Sequence, residues 1–285
     1  MKRQKSFEND CPTCYLVATP IGNLDEMTPR AIEILKSVDY IAAEDTRNTM
    51  KLLSRFSIST KMISHHQHNE KESSLGILKL LQQGFSVALV TDAGYPLLSD
   101  PGAILVETIV EAGFNVVPIS GSNASLNALV ASGLPAQPFL FYGFLPTQDK
   151  ECRAELNQLK AYPYTLIFYE APHRIEKTAT KCLEVLGDRQ CCLARELTKK
   201  HEEFLRGKLS ELIPLCEDLK GEMVLVIEGN KEERLPDVDL SEVNEMITRY
   251  MQSGASASEA IKQVAKETGI SKNDVYSHFH QKGAS

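Results

Sequence analysis

The sequence predicts an α/β protein with a mainly parallel first sheet, a second α/β segment and a small helical C-terminal domain. Three observations carry this. Hydrophobic runs at Tyr15–Ala18, Val87–Val90 and Asn115–Val117 each lead into a glycine-bearing loop. Strand-like and helix-like patterns alternate through about residue 134, the signature of βα units. The last fifty or so residues carry only helical periodicity.

The elements follow in order. Tyr15–Ala18 is the first strand, and Thr28-Pro29 starts a helix with a capping hydroxyl followed by proline at the first helical position. Ala31, Ile32, Ile34, Leu35 and Val38 supply its apolar face, and Tyr40–Ala43 is the next strand. Asp45 caps a helix carrying Met50, Leu52, Leu53 and Phe56. A helix through Leu75, Leu78 and Leu81 stops near Gly84, and strand Phe85–Val90 follows. Pro101 opens a helix that ends at Gly113. The stretch Gly133–Pro138 marks a boundary. Beyond it, strands are expected at 139–142, 165–169, 191–194 and 223–227, with helices near 150–160, 172–186 and 208–216. The charged stretch 229–238 reads as a linker. Domains are therefore placed at 13–134, 139–229 and 238–285. In the last, Ala260, Ile261, Val264 and Ala265 form a stripe that Gly269 breaks, and Ser271 to Asp274 caps a helix burying Val275 and Phe279. This spacing matches a helix-turn-helix.

Composition narrows the function classes. The net charge of −7 over 285 residues excludes a protein coated in basic charge, though not a local basic patch. Arg30, Arg47, Arg174, Arg195, Lys199, Lys200, Arg206 and Lys208 are the candidates for such a patch. No apolar stretch has membrane-span length, and the polar N-terminus lacks a signal-peptide core, so cytoplasmic residence is expected. Seven scattered cysteines favour reduced thiols. Cys11 and Cys14 have redox spacing but precede a strand rather than a helix. His65, His66 and His68 lack a clear third ligand for a metal, so none is expected.

The three loops are Thr19–Asn23, Thr91–Pro96 and Pro118–Ala124. At the carboxyl ends of parallel strands they would form a pocket with close backbone approach. Together they point to a nucleotide-like cofactor. A GxGxxG fingerprint is missing after the first strand, which disfavours a nicotinamide.

A set of motifs then goes further: Val17–Leu24, Ala43–Arg47, His68–Glu70, Thr91–Pro96, Ser99–Gly102, Phe168–Arg174, Ala194–Lys199 and Gly221–Val224. Through them the chain resembles the 16S ribosomal RNA (cytidine 2′-O)-methyltransferase family of the tetrapyrrole methylase superfamily, over about residues 14–229. The resemblance implies a cofactor cleft between two α/β domains, S-adenosylmethionine as methyl donor, a homodimer, and a decoding-centre cytidine ribose of the small ribosomal subunit as target. It implies cofactor contact by Pro20, Ile21, Gly22, Asp92, Ala93, Gly94, Tyr95, Ser122, Asn123, Ala124 and Tyr169. Arg47, His68, Arg174, Arg195 and Lys199 are the candidates for RNA contact. A hydroxyl nucleophile gains from a proton acceptor. Glu170, Glu196, Asp45 and His68 are candidates, with His173 and Arg174 beside them, and the sequence does not rank them. Two departures from the family pattern stand out: Thr91 and Tyr95 in the second loop, and Ser120–Ala124 where a proline-containing loop is usual. The missing proline predicts a less rigid third loop. A tetrapyrrole methylase of small molecules, and a ligand-sensing helix-turn-helix protein, are the alternative readings. Lys272 as the sole Lys or Arg of Ser271–Gln281 speaks against the latter.

Overall fold

The computed structural model describes residues 3–6, 8, 11–66, 69–231, 240–268 and 270–281. Residues Met1–Asn230 form one compact unit and Lys231–Ser285 a second.

The first sheet is wholly parallel, in the order β3-β2-β4-β1-β5. Its strands are β1 (Thr13–Val17), β2 (Tyr40–Ala43), β3 (Lys61–Ser64), β4 (Val87–Val90) and β5 (Asn115–Ile119). Helices α1 (Pro29–Ser37), α2 (Thr46–Arg55), α3 (Glu70–Gln82) and α4 (Ala103–Ala112) connect them. Both faces are covered, which is why β4 reads as an unbroken apolar run. Ala88 and Val90 pack with Ala31, Leu35 and Leu53 from α1 and α2. Val87 and Leu89 pack with Ile77, Leu81, Leu105 and Ile109 from α3 and α4.

Local chemistry sets the helix starts. The Thr28 hydroxyl accepts from the Ala31 amide at 3.2 Å, and Asp45 accepts from the Arg47 amide at 2.8 Å. Helix α4 begins at Ala103, two residues after the expected Pro101, and its cap comes from elsewhere. The Glu70 carboxylate, at the start of α3, accepts from the amides of Gly102 at 2.8 Å and Ile104 at 3.2 Å. A negative charge at a helix N-terminus is favourable there.

The second sheet runs β6-β7-β10-β8-β9. Its strands are β6 (Phe139–Phe144), β7 (Thr165–Glu170), β8 (Gln190–Arg195), β9 (Glu203–Lys208) and β10 (Met223–Ile227). Only β6 and β7 are parallel; the other pairs are antiparallel. Strand β9 escapes the sequence pattern because it is an edge strand with charged ends, Glu203 and Lys208. Helices α6 (Asp149–Leu159), α7 (Ile175–Leu186) and α8 (Leu209–Leu212) cover one face, where Met223, Leu225 and Ile227 point. Helix α7 starts three residues later than expected, after Pro172. The opposite face, carrying Val224 and Val226, is covered by Ala128 and Leu129 of α5 (Ala124–Ser132). Helix α5 follows β5 directly, so an element of the first half builds the core of the second.

The second unit contains α9 (Leu240–Gln252), α10 (Ala257–Thr268) and α11 (Lys272–Gln281). Val243, Ile247, Ala260, Ile261, Val264 and Val275 make its core. The Ser271 hydroxyl accepts from the Asp274 amide at 3.1 Å, the expected cap. Gly269, and 232–239 of the expected linker, lie outside the described residues.

Candidate active site

The three glycine loops meet at the carboxyl ends of β1, β4 and β5, and hydrogen bonds join them. Thr19 and Gly94 exchange backbone bonds of 2.9 and 3.0 Å, which ties the first loop to the second. The Gly121 amide donates to the Tyr95 hydroxyl at 3.2 Å, which ties the third to the second. Asn123 accepts from the Leu126 amide at 2.9 Å and caps α5. Gly121 is packed so closely that a Cβ would fall 2.8 Å from Ala18 Cβ. The third loop is thus tied down by Tyr95.

Facing these loops are the ends of the second sheet. A cavity of about 560 Å³ lies between, walled by Ile21, Gly94, Tyr95, Asp100, Asn123 and Ala124 on one side. On the other stand Phe144, Tyr169, Glu196, Leu197, Lys199 and Met223. The Tyr169 ring packs edge-on against Phe141 and Phe144, with centroids 5.0 and 5.6 Å away.

Two cavity loops hold residues at positive φ that are not glycine: Leu97 (72°), Ser99 (70°), Glu196 (49°) and Thr198 (67°). Such strain persists only where surroundings over-determine it, and it gathers at functional sites. Ser99 is also where the second sheet comes close. At Gly143 the β6 strand bulges, and a Cβ there would lie 3.0 Å from Ser99 Oγ. Gly143 itself sits at φ 83°, a conformation that favours glycine.

The family model for tetrapyrrole (corrin/porphyrin) methylases matches residues 13–213. A ribosomal RNA small subunit methyltransferase I from Bacillus subtilis is 47% identical, with 99% of each chain covered. One from Halalkalibacterium halodurans is also 47% identical, over 99% of this chain and 100% of its own. The chain belongs to the ribosomal RNA small subunit methyltransferase I family of tetrapyrrole methylases. The fold likeness extends to a uroporphyrin-III-C-methyltransferase from Thermus thermophilus, with TM-score 0.52 over 76% of this chain and 94% of that one. At 18% identity it speaks for the tetrapyrrole methylase fold alone.

Within this methylase fold, the expected cofactor residues divide. Ile21, Ala93, Gly94, Tyr95, Asn123, Ala124 and Tyr169 stand in the cavity wall. Pro20, Gly22, Asp92 and Ser122 flank it. Gly22 lies under Lys199, whose Cγ would be 2.5 Å from an added Cβ. Asp92 is exposed and accepts from the Asn48 side chain at 2.9 Å, and Ser122 donates to Glu26 at 2.7 Å.

The expected acid–base and RNA residues are mostly engaged with one another. Glu170 is buried and accepts from Arg174 at 3.1 Å, Thr178 at 2.6 Å and the Ala171 amide at 2.8 Å. Arg174 also donates to the Leu145 carbonyl at 2.8 Å. Glu196 and Glu222 both bind the Lys199 ammonium at 2.9 Å. That contact with Lys199 holds the Glu196 carboxyl below its ordinary range. Burial pulls the Lys199 ammonium down, but the two carboxylates outweigh it and its net shift is upward. Asp45 is paired with Arg47, whose hydrogen bond pulls its pKa down to about 2. Arg195 pairs with Glu203 and donates to the Lys220 carbonyl at 3.2 Å. His173 is exposed and outside the cavity wall. His68 lies outside the described residues.

Sequence reasoning missed Asp100, a half-buried carboxylate in the wall. Burial, then the charges of Glu44 and Asp92, push its pKa up to about 6. Its signal was the Ser99–Gly102 motif, which carries no label of role. Cys14, by contrast, is buried in β1 with its thiol pushed up to about 12 by desolvation, which leaves no reactive thiolate. His65 is fully buried and bonded to Ser73 at 2.7 Å, while His66 sits just beyond β3. Among the described residues no three His, Cys, Asp or Glu are grouped to hold a metal.

Proposed function

We propose that this protein transfers a methyl group from S-adenosylmethionine to the ribose 2′-hydroxyl of a decoding-centre cytidine in small-subunit ribosomal RNA. The observation that carries the reading is the end-to-end likeness to relatives named ribosomal RNA small subunit methyltransferase I, C-terminal helices included. The cavity supports the donor half. Its volume of about 560 Å³ is of the size small-ligand sites have. S-adenosylmethionine supplies, when bound, a methyl group activated on a sulfonium.

Ile21, Ala93, Gly94, Tyr95, Asn123, Ala124 and Tyr169 would hold the donor, with Pro20, Gly22, Asp92 and Ser122 supporting them. Apolar surface from Ile21, Ala93, Ala124 and Val224 stabilises a cation less than a wholly polar wall would. That favours a step in which positive charge disappears. Loops braced by Thr19, Gly94, Tyr95 and Gly121 keep the geometry fixed, and positioning is most of what such a transfer asks of a protein. For the RNA, Arg47 is the most exposed of the candidate cations Arg47, Arg174, Arg195 and Lys199, its side chain 87% exposed. Arg174, Arg195 and Lys199 would add positive charge to the RNA-facing surface while keeping their carboxylate partners. In this reading segments 13–134 and 139–229 make the donor site and 238–285 serves the RNA. The same reading makes the protein a cytoplasmic homodimer.

Incubation with methyl-labelled donor and either small ribosomal subunits or a free tetrapyrrole precursor tests it. Label on one cytidine ribose is the expected result. Label on the tetrapyrrole would select the small-molecule alternative instead.

A further inference from the structure

We propose that Asp100 is the proton acceptor for the attacking ribose hydroxyl. The inference rests on the ribose reading above, because that nucleophile has a proton to lose. Four carboxylates stand in the cavity wall: Asp100, Glu170, Glu196 and Glu222. Arg174 and Thr178 engage Glu170, and Lys199 engages Glu196 and Glu222. Asp100 makes no ion pair among the described residues. Its neighbour is the Thr91 hydroxyl, which is buried to 2% exposure, approaches the carboxylate and closes no well-formed hydrogen bond of its own.

The setting suits a base. Glu44 beyond β2, Asp92 beyond β4 and Tyr169 in β7 are the titratable groups that face Asp100. Burial comes first and the charges of Glu44 and Asp92 second in making it a stronger acceptor than an ordinary aspartate, still ionised at neutral pH. The loop is held from three sides. Glu70 binds the Gly102 amide, Gly143 of β6 closes on Ser99, and Leu97 and Ser99 are locked at positive φ. The step balances. The ribose O–H bond breaks, its proton passes to Asp100, and its electron pair forms the new O–CH3 bond. The pair of the broken C–S bond stays with sulfur.

The test compares wild type with Asp100→Asn and Thr91→Val. Three readouts are needed: S-adenosylhomocysteine affinity by calorimetry, carboxyl carbon-13 titration of the donor-free protein, and single-turnover transfer to small subunits against pH. Asp100→Asn should bind within about threefold of wild type yet transfer about 100-fold or more slowly at saturating donor. The wild-type rate should fall as pH drops through about 6, matched by a carboxyl resonance that Asp100→Asn lacks. Thr91→Val removes a neighbour that lowers the Asp100 pKa, so both the resonance and the acid limb should move to higher pH. An Asp100→Asn protein that transfers like wild type overturns the proposal. So does a loss cured by more donor, which would assign Asp100 to the donor's ammonium, or an acid limb in Thr91→Val that does not follow the carboxyl resonance. Wild-type label on a base instead of a ribose would overturn the ribose reading itself, and that shows in the wild-type arm alone.

Discussion

Tyr95 and Gly121 stand on different loops, yet the hydroxyl of one accepts from the amide of the other. Tyr95→Phe should therefore leave that amide without its acceptor, at a cost of about 1 kcal/mol. Thermal unfolding should report the loss, and calorimetry should show donor affinity falling severalfold as the third loop loosens. Unchanged affinity would mean that Gly121 against Ala18 is brace enough. Asp100 makes the opposite kind of contribution. Its pKa of about 6 lies above the ordinary 3.8. The folded state therefore holds the proton more tightly, and stability falls as pH rises through that window. After discounting for solvent screening, Asp100→Asn should stabilise the protein by about 1 kcal/mol at neutral pH. The gain should shrink toward pH 4, at the foot of the window. Melting curves at several pH values check the sign. A stabilising substitution that removes activity is the usual mark of a functional residue.

Elements are joined by side chains from other elements. Helix α4 has no cap of its own at Gly102, and the carboxylate of Glu70 on α3 does that work. Glu70→Ala should cost about 1 kcal/mol, as cap removals do. It should also free the Leu97–Gly102 loop. Faster amide exchange at Gly102 and Ile104 is the expected signature, with Glu70→Gln restoring most of the protection because it keeps an acceptor. Helix α5 shows the same interdependence on a larger scale. Its Asn123 cap belongs to the cavity, while Ala128 and Leu129 fill the core against β8 and β10.

Across the whole chain, Met1–Asn230 and Lys231–Ser285 each have their own packing. Truncation after Asn230 should therefore give a folded protein with unchanged donor affinity. Methylation of small subunits should fall by about tenfold or more if the helical unit contacts RNA. Full turnover by the truncated protein would remove that role. Among the described residues no helix is long and apolar enough to cross a membrane.

The amino-acid sequence by itself determined the βα alternation of the first sheet, because both faces of those strands are covered and the apolar runs Val87–Val90 and Tyr40–Ala43 are unmistakable. It also placed the glycine loops at strand ends, through motifs short enough to read locally. Thr28, Asp45 and Ser271 announced their helices, since a cap bonds only a few residues away. Tertiary structure alone decided the rest. Strand β9 owes its place to pairing with β8, and α5 owes its burial to a sheet formed downstream. The carboxylates show it most clearly. Glu170, Glu196 and Asp45 had equal claims in the sequence, but partners consume each of them. Asp100 stands out only because folding buries it without a countercharge, and burial and pairing are properties of the folded chain rather than of any local stretch.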